Sequence, residues 1–205
     1  MQAALSPLLI ILAVLAWGAL HSLLATWGAK KRLLHPFSPN AHRGYRLFYN
    51  VVAGLTLLPV LALLALLPDR TLYTIPAPWI AVFILGQLIA AIALVVGLLQ
   101  TGVWSFLGLR QLVHPSGEAP AELVTSGLYR WVRHPLYTAG LALIWLTPLM
   151  TLNLLALNLG LTVYILIGVR YEERKLRREF GQPYADYSAR TPMLIPGWKR
   201  GSPGL

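Results

Sequence analysis

Residues 78–99 contain no charged side chain, and no other feature limits the possible folds of this chain so strongly. A helix rises about 1.5 Å per residue, so a run of this length matches the roughly 30 Å hydrocarbon core of a bilayer. Two more runs pass the same test. Residues 5–27 are broken only by small or weakly polar groups and by His21, and residues 47–67 stop at Pro68, Asp69 and Arg70. No Lys or Arg precedes the first run and no small-residue cleavage site follows it, so it reads as a retained span rather than a signal peptide.

A fourth charge-free stretch, residues 136–169, is too long for one crossing but fits two short ones. Thr151, Asn153 and Asn158 supply polar residues for a turn, so a tight helical hairpin is predicted with its tip near residues 151–153. One bent helix with a re-entrant piece is the alternative. Between the third and fourth spans, residues 100–133 carry Arg110, His114, Pro115, Gly117, Glu118, Pro120 and Glu122, too polar for a span, and read as an interfacial segment and loop. At 57% hydrophobic and 12% charged residues, a 205-residue soluble fold could not bury its apolar surface. The expected fold is all-α: a polytopic membrane protein of about five transmembrane helices with a C-terminal helical hairpin and a cytoplasmic amphipathic tail. Residues 1–100 would hold three spans with a basic loop at 28–46, and residues 101–205 the last two spans and the tail.

Charge fixes the expected orientation. Of the 17 Lys and Arg residues, 16 fall on one side of the predicted spans and Arg70 stands alone opposite. By the positive-inside rule the basic side is cytoplasmic, with the N-terminus outside and the C-terminus inside. An odd number of spans is required, and five satisfies it. A net charge of +10 also raises nucleic acid as a partner, but these charges border membrane segments, where anionic headgroups are the simpler counter-charge. No nucleic-acid partner is expected.

The chain has no cysteine, which removes disulfides and thiolate catalysis. It also lacks GxxxxGK[ST], HExxH and GxGxxG patterns, and no metal site is predicted. Its remaining polar chemistry gathers in two places at the mouth of the predicted hairpin. The first is the segment through Leu123, Val124, Tyr129, Arg133, His134, Pro135, Leu136 and Tyr137. Pro135 suits the first turn of a helix, whose start offers peptide N–H groups and partial positive charge to a carboxylate. The second is Arg170, Tyr171, Glu172, Glu173 and Arg174. An antiparallel hairpin brings His134 and Arg170 to similar depth, with Glu172 and Glu173 beside Arg133 and His134. Each of these residues singly is also consistent with an interfacial anchor or an ordinary ion pair. Tyr129, Trp131 and Tyr137 add aromatic faces that suit a cation, and equally suit an aromatic belt.

The pattern Gly127-Leu128-Tyr129-x-x-x-Arg133-His134-Pro135-Leu136-Tyr137 is followed by a second, Arg170-x-Glu172-Glu173-x-x-Leu176-x-x-x-Phe180-Gly181-x-x-Tyr184-x-x-Tyr187, and by Arg190-Thr191-Pro192-x-Leu194-Ile195-Pro196. Together they resemble the membrane methyltransferases related to isoprenylcysteine carboxyl methyltransferase and phospholipid N-methyltransferase. The resemblance covers the C-terminal part of the chain. It implies S-adenosylmethionine bound at the cytoplasmic ends of the last two spans, lined by Leu123, Val124, Tyr129, His134, Pro135, Leu136 and Tyr137. Glu172 and Glu173 would hold its polar groups, and a lipid-facing tunnel would admit a membrane-partitioned or small apolar acceptor. Where the family often has an arginine one turn before the Glu, this chain has Gly168, and Arg170 is the nearest candidate. His21-Ser22-Leu23, with Arg43, Tyr45, Arg46, Tyr49 and Asn50, resembles NnrU-type proteins and bacterial methanethiol S-methyltransferases.

A methyl sulfonium is already activated, so such a protein has mainly to hold donor and nucleophile in line and exclude water. A carboxylate acceptor needs no base. A thiol or amine benefits from one, with His134, His21 or Glu173 as titratable candidates. An ionisable group in a span is a functional candidate, although His21 lies close enough to the interface to be solvated there. Two other classes fit the same residues: an NADPH-dependent membrane reductase of related architecture, and a non-catalytic protein that binds lipid or a partner.

Overall fold

The structure is a computed structural model that describes residues 2–34, 41–109 and 122–197. Four of its helices are long and apolar enough to cross a membrane: Leu5–Ala25, Gly44–Leu66, Trp79–Thr101 and Leu152–Phe180. These lie within α1 (Gln2–Ala25), α3 (Ala41–Leu66), α4 (Trp79–Thr101) and α7 (Leu152–Phe180). Between them run α2 (Trp27–Leu34), α5 (Val103–Leu107) and α6 (Pro135–Trp145), and α8 (Gln182–Arg190) follows. The fourth expected span is α6, an apolar helix of only 11 residues. Of the expected interfacial segment and loop at 100–133, residues 110–121 lie outside the described residues, as do Lys199 and Arg200, and the Arg43 side chain is not described.

Contacts divide the chain into two compact units that interleave along the sequence. One draws on residues 1–74, 102–119 and 149–161, the other on 75–101, 120–148 and 162–205. In the first unit, Ile10, Val14, Val60, Ala156 and Leu157 form the buried core. Thr26 separates α1 from α2: its hydroxyl donates to the Leu23 carbonyl at 2.7 Å and accepts the Ala29 amide at 3.2 Å, ending one helix and starting the next.

The first unit also contains a two-stranded antiparallel ribbon, β1 (Thr71–Thr74) against β2 (Leu149–Thr151). Thr71 faces Thr151, and Thr74 faces Leu149. The predicted hairpin tip therefore differs in detail. The chain reverses at residues 146–151, while Asn153 and Asn158 lie buried inside α7. Strand pairing satisfies the backbone at the reversal, which frees these asparagines to enter the helix. The start of α7 is capped twice. Thr151 accepts the Leu154 amide at 3.2 Å, and Asp69 accepts the Asn153 amide at 3.0 Å from across the ribbon.

In the second unit α4 and α6 pack closely because α4 presents glycine at the contact. A Cβ on Gly86 or Gly97 would stand 2.8 Å from Leu146 Cδ1 or Leu136 Cδ2 respectively, so the leucine would have to shift to admit it. In lipid, where helices gain no hydrophobic drive to associate, such small residues are what permit tight packing. Gln87 donates to the Leu143 carbonyl at 3.1 Å, and Trp145 donates to Thr162 at 2.9 Å, tying α6 to both neighbours. Ahead of α6, a 3-10 turn at Gly127–Arg130 requires its glycine: φ is 63°, and a Cβ would collide with the Gln100 amide.

Burial would raise the Asp69 carboxyl, but hydrogen bonds from Thr151 and from nearby backbone amides hold it below the usual aspartate range. A lowered folded pKa stabilises the fold above the unfolded value of about 4 and loses that stabilisation as pH falls through the folded value. Asp69→Ala is therefore expected to cost about 1 kcal/mol at neutral pH, with the difference from the parent vanishing in acid. Urea unfolding in detergent across pH measures it.

Candidate functional site

The start of α6 and the far end of α7 meet in the second unit, and the meeting point is the Glu173 carboxylate. Arg133 reaches it as a fork, with Nε donating to Oε1 at 2.8 Å and Nη2 to Oε2 at 3.0 Å. Tyr184 donates its hydroxyl to Oε1 at 2.7 Å, and His134 Nε2 lies 2.8 Å from the same oxygen. With Arg133 keeping the carboxylate ionised, Glu173 is acceptor only, so Nε2 of His134 is the donor. In the neutral ring Nδ1 then carries the lone pair. It faces Glu172, whose Oε2 is 3.9 Å away, beyond hydrogen-bond reach.

These groups are assembled from four segments. The backbone of 133–134 pairs with the tail: Arg133 N–H donates to the Pro192 carbonyl at 2.9 Å and His134 N–H to Met193 at 3.2 Å. Thr138 donates to the Leu194 carbonyl at 2.7 Å, and Arg133 Nη1 donates to the Ser188 and Thr191 carbonyls. The Tyr187 hydroxyl donates to the Tyr129 carbonyl at 2.6 Å. Tyr184 and Tyr187 sit three residues apart on α8, the spacing that places both on one face. Both are buried and form an edge-to-face pair with centroids 6.0 Å apart.

Electrostatics follow from that packing. Burial works against the Arg133 guanidinium, but the Glu173 carboxylate outweighs it and holds the group charged above its usual range. Burial and the Glu173 acceptor push the Tyr184 phenol well above its ordinary value. Tyr129 is pushed up to about 12 by burial and by the negative charge of Glu172. Neither phenol ionises near neutral pH, so both remain O–H donors.

Of the residues expected from sequence, His134, Pro135, Tyr129, Tyr137, Glu172 and Glu173 lie in this one region. His134 is 4% exposed, and its ring centroid is 5.8 Å from that of Tyr137. Glu172 is the open group of the pair, its side chain 42% exposed against 11% for Glu173. The start of α6 has Pro135 at its first position and no side-chain cap, which leaves that end available to an anion. Leu136 packs its side chain toward Gly97 of α4. Leu123 and Val124 are half-buried in the segment leading to the 3-10 turn. Arg170 is exposed, its Nη1 3.5 Å from the Leu166 carbonyl of its own helix. Among the described residues there is no group of three His, Cys, Asp or Glu able to hold a metal.

His21 belongs to the first unit. There it stacks on Trp17 with centroids 5.3 Å apart and hydrogen-bonds to the Tyr49 hydroxyl. Trp17 donates to the Ala53 carbonyl at 3.0 Å and Tyr45 to the Leu24 carbonyl at 2.5 Å, so aromatic groups around His21 bind α1 to α3.

Sequence reasoning missed the weight of Tyr184 and Tyr187, although their spacing on a short polar helix was a usable signal. It also missed that Arg133 ties the tail down. No local pattern shows that a guanidinium at residue 133 reaches the carbonyls of 188 and 191.

The profile of the phospholipid methyltransferase family matches residues 82–183. Methanethiol S-methyltransferase 2 of Bradyrhizobium diazoefficiens is 49% identical over 69 residues, covering 34% of this chain and 27% of that protein. Protein-S-isoprenylcysteine O-methyltransferase B of Arabidopsis thaliana is 36% identical over 80 residues, 37% of this chain and 40% of that one. The nickel-cobalt-cadmium resistance protein NccN of Alcaligenes xylosoxydans xylosoxydans is 34% identical over 111 residues, 53% of this chain and 52% of that one. The chain spans 26% to 39% of the length of the methanethiol methyltransferases it matches. No solved structure matches it.

Removing the hub carboxylate strands a buried guanidinium. Glu173→Ala is expected to cost about 3–5 kcal/mol and to raise hydrogen exchange across residues 182–194, read by mass spectrometry alongside thermal melting.

Proposed function

We propose, from the match of residues 82–183 to the phospholipid methyltransferase family, that this integral membrane protein transfers the methyl group of S-adenosylmethionine to a small apolar or membrane-dissolved acceptor. The observation that carries the reading is the pairing of an uncapped helix start at Pro135 with the open Glu172 carboxylate, on either side of His134. Those groups fit the charged ends of an amino acid: the first turn of α6 would take its carboxylate and Glu172 its ammonium. The faces of Tyr129 and Tyr137 suit a sulfonium or an adenine ring. When bound, the cofactor supplies an electrophilic methyl that passes to the acceptor while S-adenosylhomocysteine leaves.

The protein's own part is positioning. Glu173 does not act as a free base in this scheme, because Arg133, Tyr184 and His134 already occupy it. It holds the His134 ring with Nδ1 turned toward Glu172. That nitrogen is the candidate acceptor for a proton from a thiol or amine, while a carboxylate acceptor needs none. Leu123, Val124, Pro135 and Leu136 would exclude water. Arg170 remains a proposed substrate-side group, and His21 a proposed functional group of the first unit.

Methanethiol heads the acceptor panel, since most of the similar relatives carry that name, and a prenylcysteine and an aminophospholipid follow it. We place the site on the cytoplasmic side with the N-terminus outside. The pairing of β1 with β2 supports this, because it sets the loop of the lone Arg70 beside the closed end of the hairpin.

Glu172→Gln is expected to weaken S-adenosylhomocysteine binding about tenfold, the scale of one charge-assisted hydrogen bond, with melting unchanged because the residue is open. Isothermal calorimetry reads it, and unchanged affinity removes Glu172 from the site. Titration with NADPH is expected to show no binding, whereas binding of NADPH in place of S-adenosylhomocysteine makes the protein a reductase. Labelled methyl should appear in at least one panel member, and a panel left wholly unlabelled overturns the function.

A further inference from the structure

We propose that the outer face of α7, just past its apolar part, holds the phosphodiester headgroup of an anionic phospholipid through Arg174, Lys175 and Arg178. The face is a shallow groove of about 410 Å³ lined by Tyr171, Arg174, Lys175, Arg178 and Glu179. Positions 171, 174, 175 and 178 follow the spacing that puts side chains on a single helix face. Among the described residues the three basic groups make no ion pair. Neither neighbouring acid forms an ion pair with them. Glu173 is held by Arg133, His134 and Tyr184, and Glu172 faces His134. Only Glu179 shares the groove, so it keeps an excess of positive charge.

Depth selects a lipid over a soluble anion. The charge-free part of α7 ends at Val169. At about 1.5 Å per residue, Arg174 and Lys175 stand roughly 8–9 Å further along and Arg178 about 14 Å. The polar layer of a leaflet begins at the core boundary and is about 5–8 Å thick. Long basic side chains lean back to the phosphates from just beyond it. Tyr171 is 66% exposed at the near edge, where interfacial tyrosines sit, and the Arg174 guanidinium lies over its ring at 5.6 Å. The groove thus offers two planar forks and one point charge at the level where phosphodiesters are concentrated. The site asks nothing of the methyl-transfer reading, only that α7 spans the bilayer.

The test uses the full chain in detergent, titrated separately with phosphatidylglycerol, phosphatidylcholine and inorganic phosphate, with bound species counted by native mass spectrometry. Phosphatidylglycerol is expected to saturate at one per chain while the other two are not retained. The triple variant Arg174→Gln/Lys175→Gln/Arg178→Gln should lose well over tenfold in affinity, at about fivefold per basic residue. The charge-matched control Lys31→Gln/Arg32→Gln/Arg177→Gln should bind as the parent does. Arg174→Lys/Arg178→Lys, which keeps the charge, should retain binding within a few-fold and reports on the site if the triple variant melts early. Equal binding by the triple variant and the control overturns the proposal. So does equal retention of phosphatidylcholine, or displacement of the lipid by inorganic phosphate at matched concentration.

Discussion

One carboxylate organises the second unit. Glu173 accepts a two-point fork from Arg133, a phenol from Tyr184 and an imidazole N–H from His134, all within 3.0 Å. The donors arrive from two segments: Arg133 and His134 from the stretch just before α6, and Tyr184 from α8. A buried ion pair of this kind contributes little net stability over an apolar replacement, because desolvating both charges offsets their attraction. Its effect is specificity. Arg133 must also satisfy the carbonyls of Ser188 and Thr191, so the carboxylate sets where the tail lies, and through His134 it sets which ring nitrogen is left over.

The two adjacent acids of α7 accordingly behave as different groups. Glu173 is enclosed and fully engaged, while Glu172, one residue and about 100° further round the helix, keeps an open side chain beside His134. Burial decides the division of labour, with no difference in side-chain chemistry. The neighbouring phenols follow the same logic, since burial next to a carboxylate keeps Tyr129 and Tyr184 protonated and makes them donors.

The membrane imposes the rest. With no water to satisfy backbone groups in hydrocarbon, the spans are helical, and where the chain reverses it does so in a paired ribbon with its helix start capped. The expected polar turn at Thr151, Asn153 and Asn158 shows how this works. The polarity of that region was legible, but the asparagines serve α7 from inside, and the reversal uses strand pairing with residues 71–74. That partner is remote in sequence, so no local window contains it. The shortness of α6 is a matter of the same kind, since an apolar run records what can be buried without recording where a helix stops.

The sequence by itself determined the helical membrane class, the positions of the long spans, the charge asymmetry, and the two motifs that carry the family likeness. The first three follow from composition and charge placement along the chain, and the motifs from the identity of residues at set spacings, which mark the likeness as a resemblance. Only the tertiary structure decided that Glu173 rather than Glu172 is the enclosed acid, that Arg133 and Tyr184 hold it, and that Asp69 caps a helix starting at Leu152. Those outcomes depend on which donors reach a given oxygen after packing, and hydrogen bonds are made over about 3 Å between groups as many as 84 residues apart.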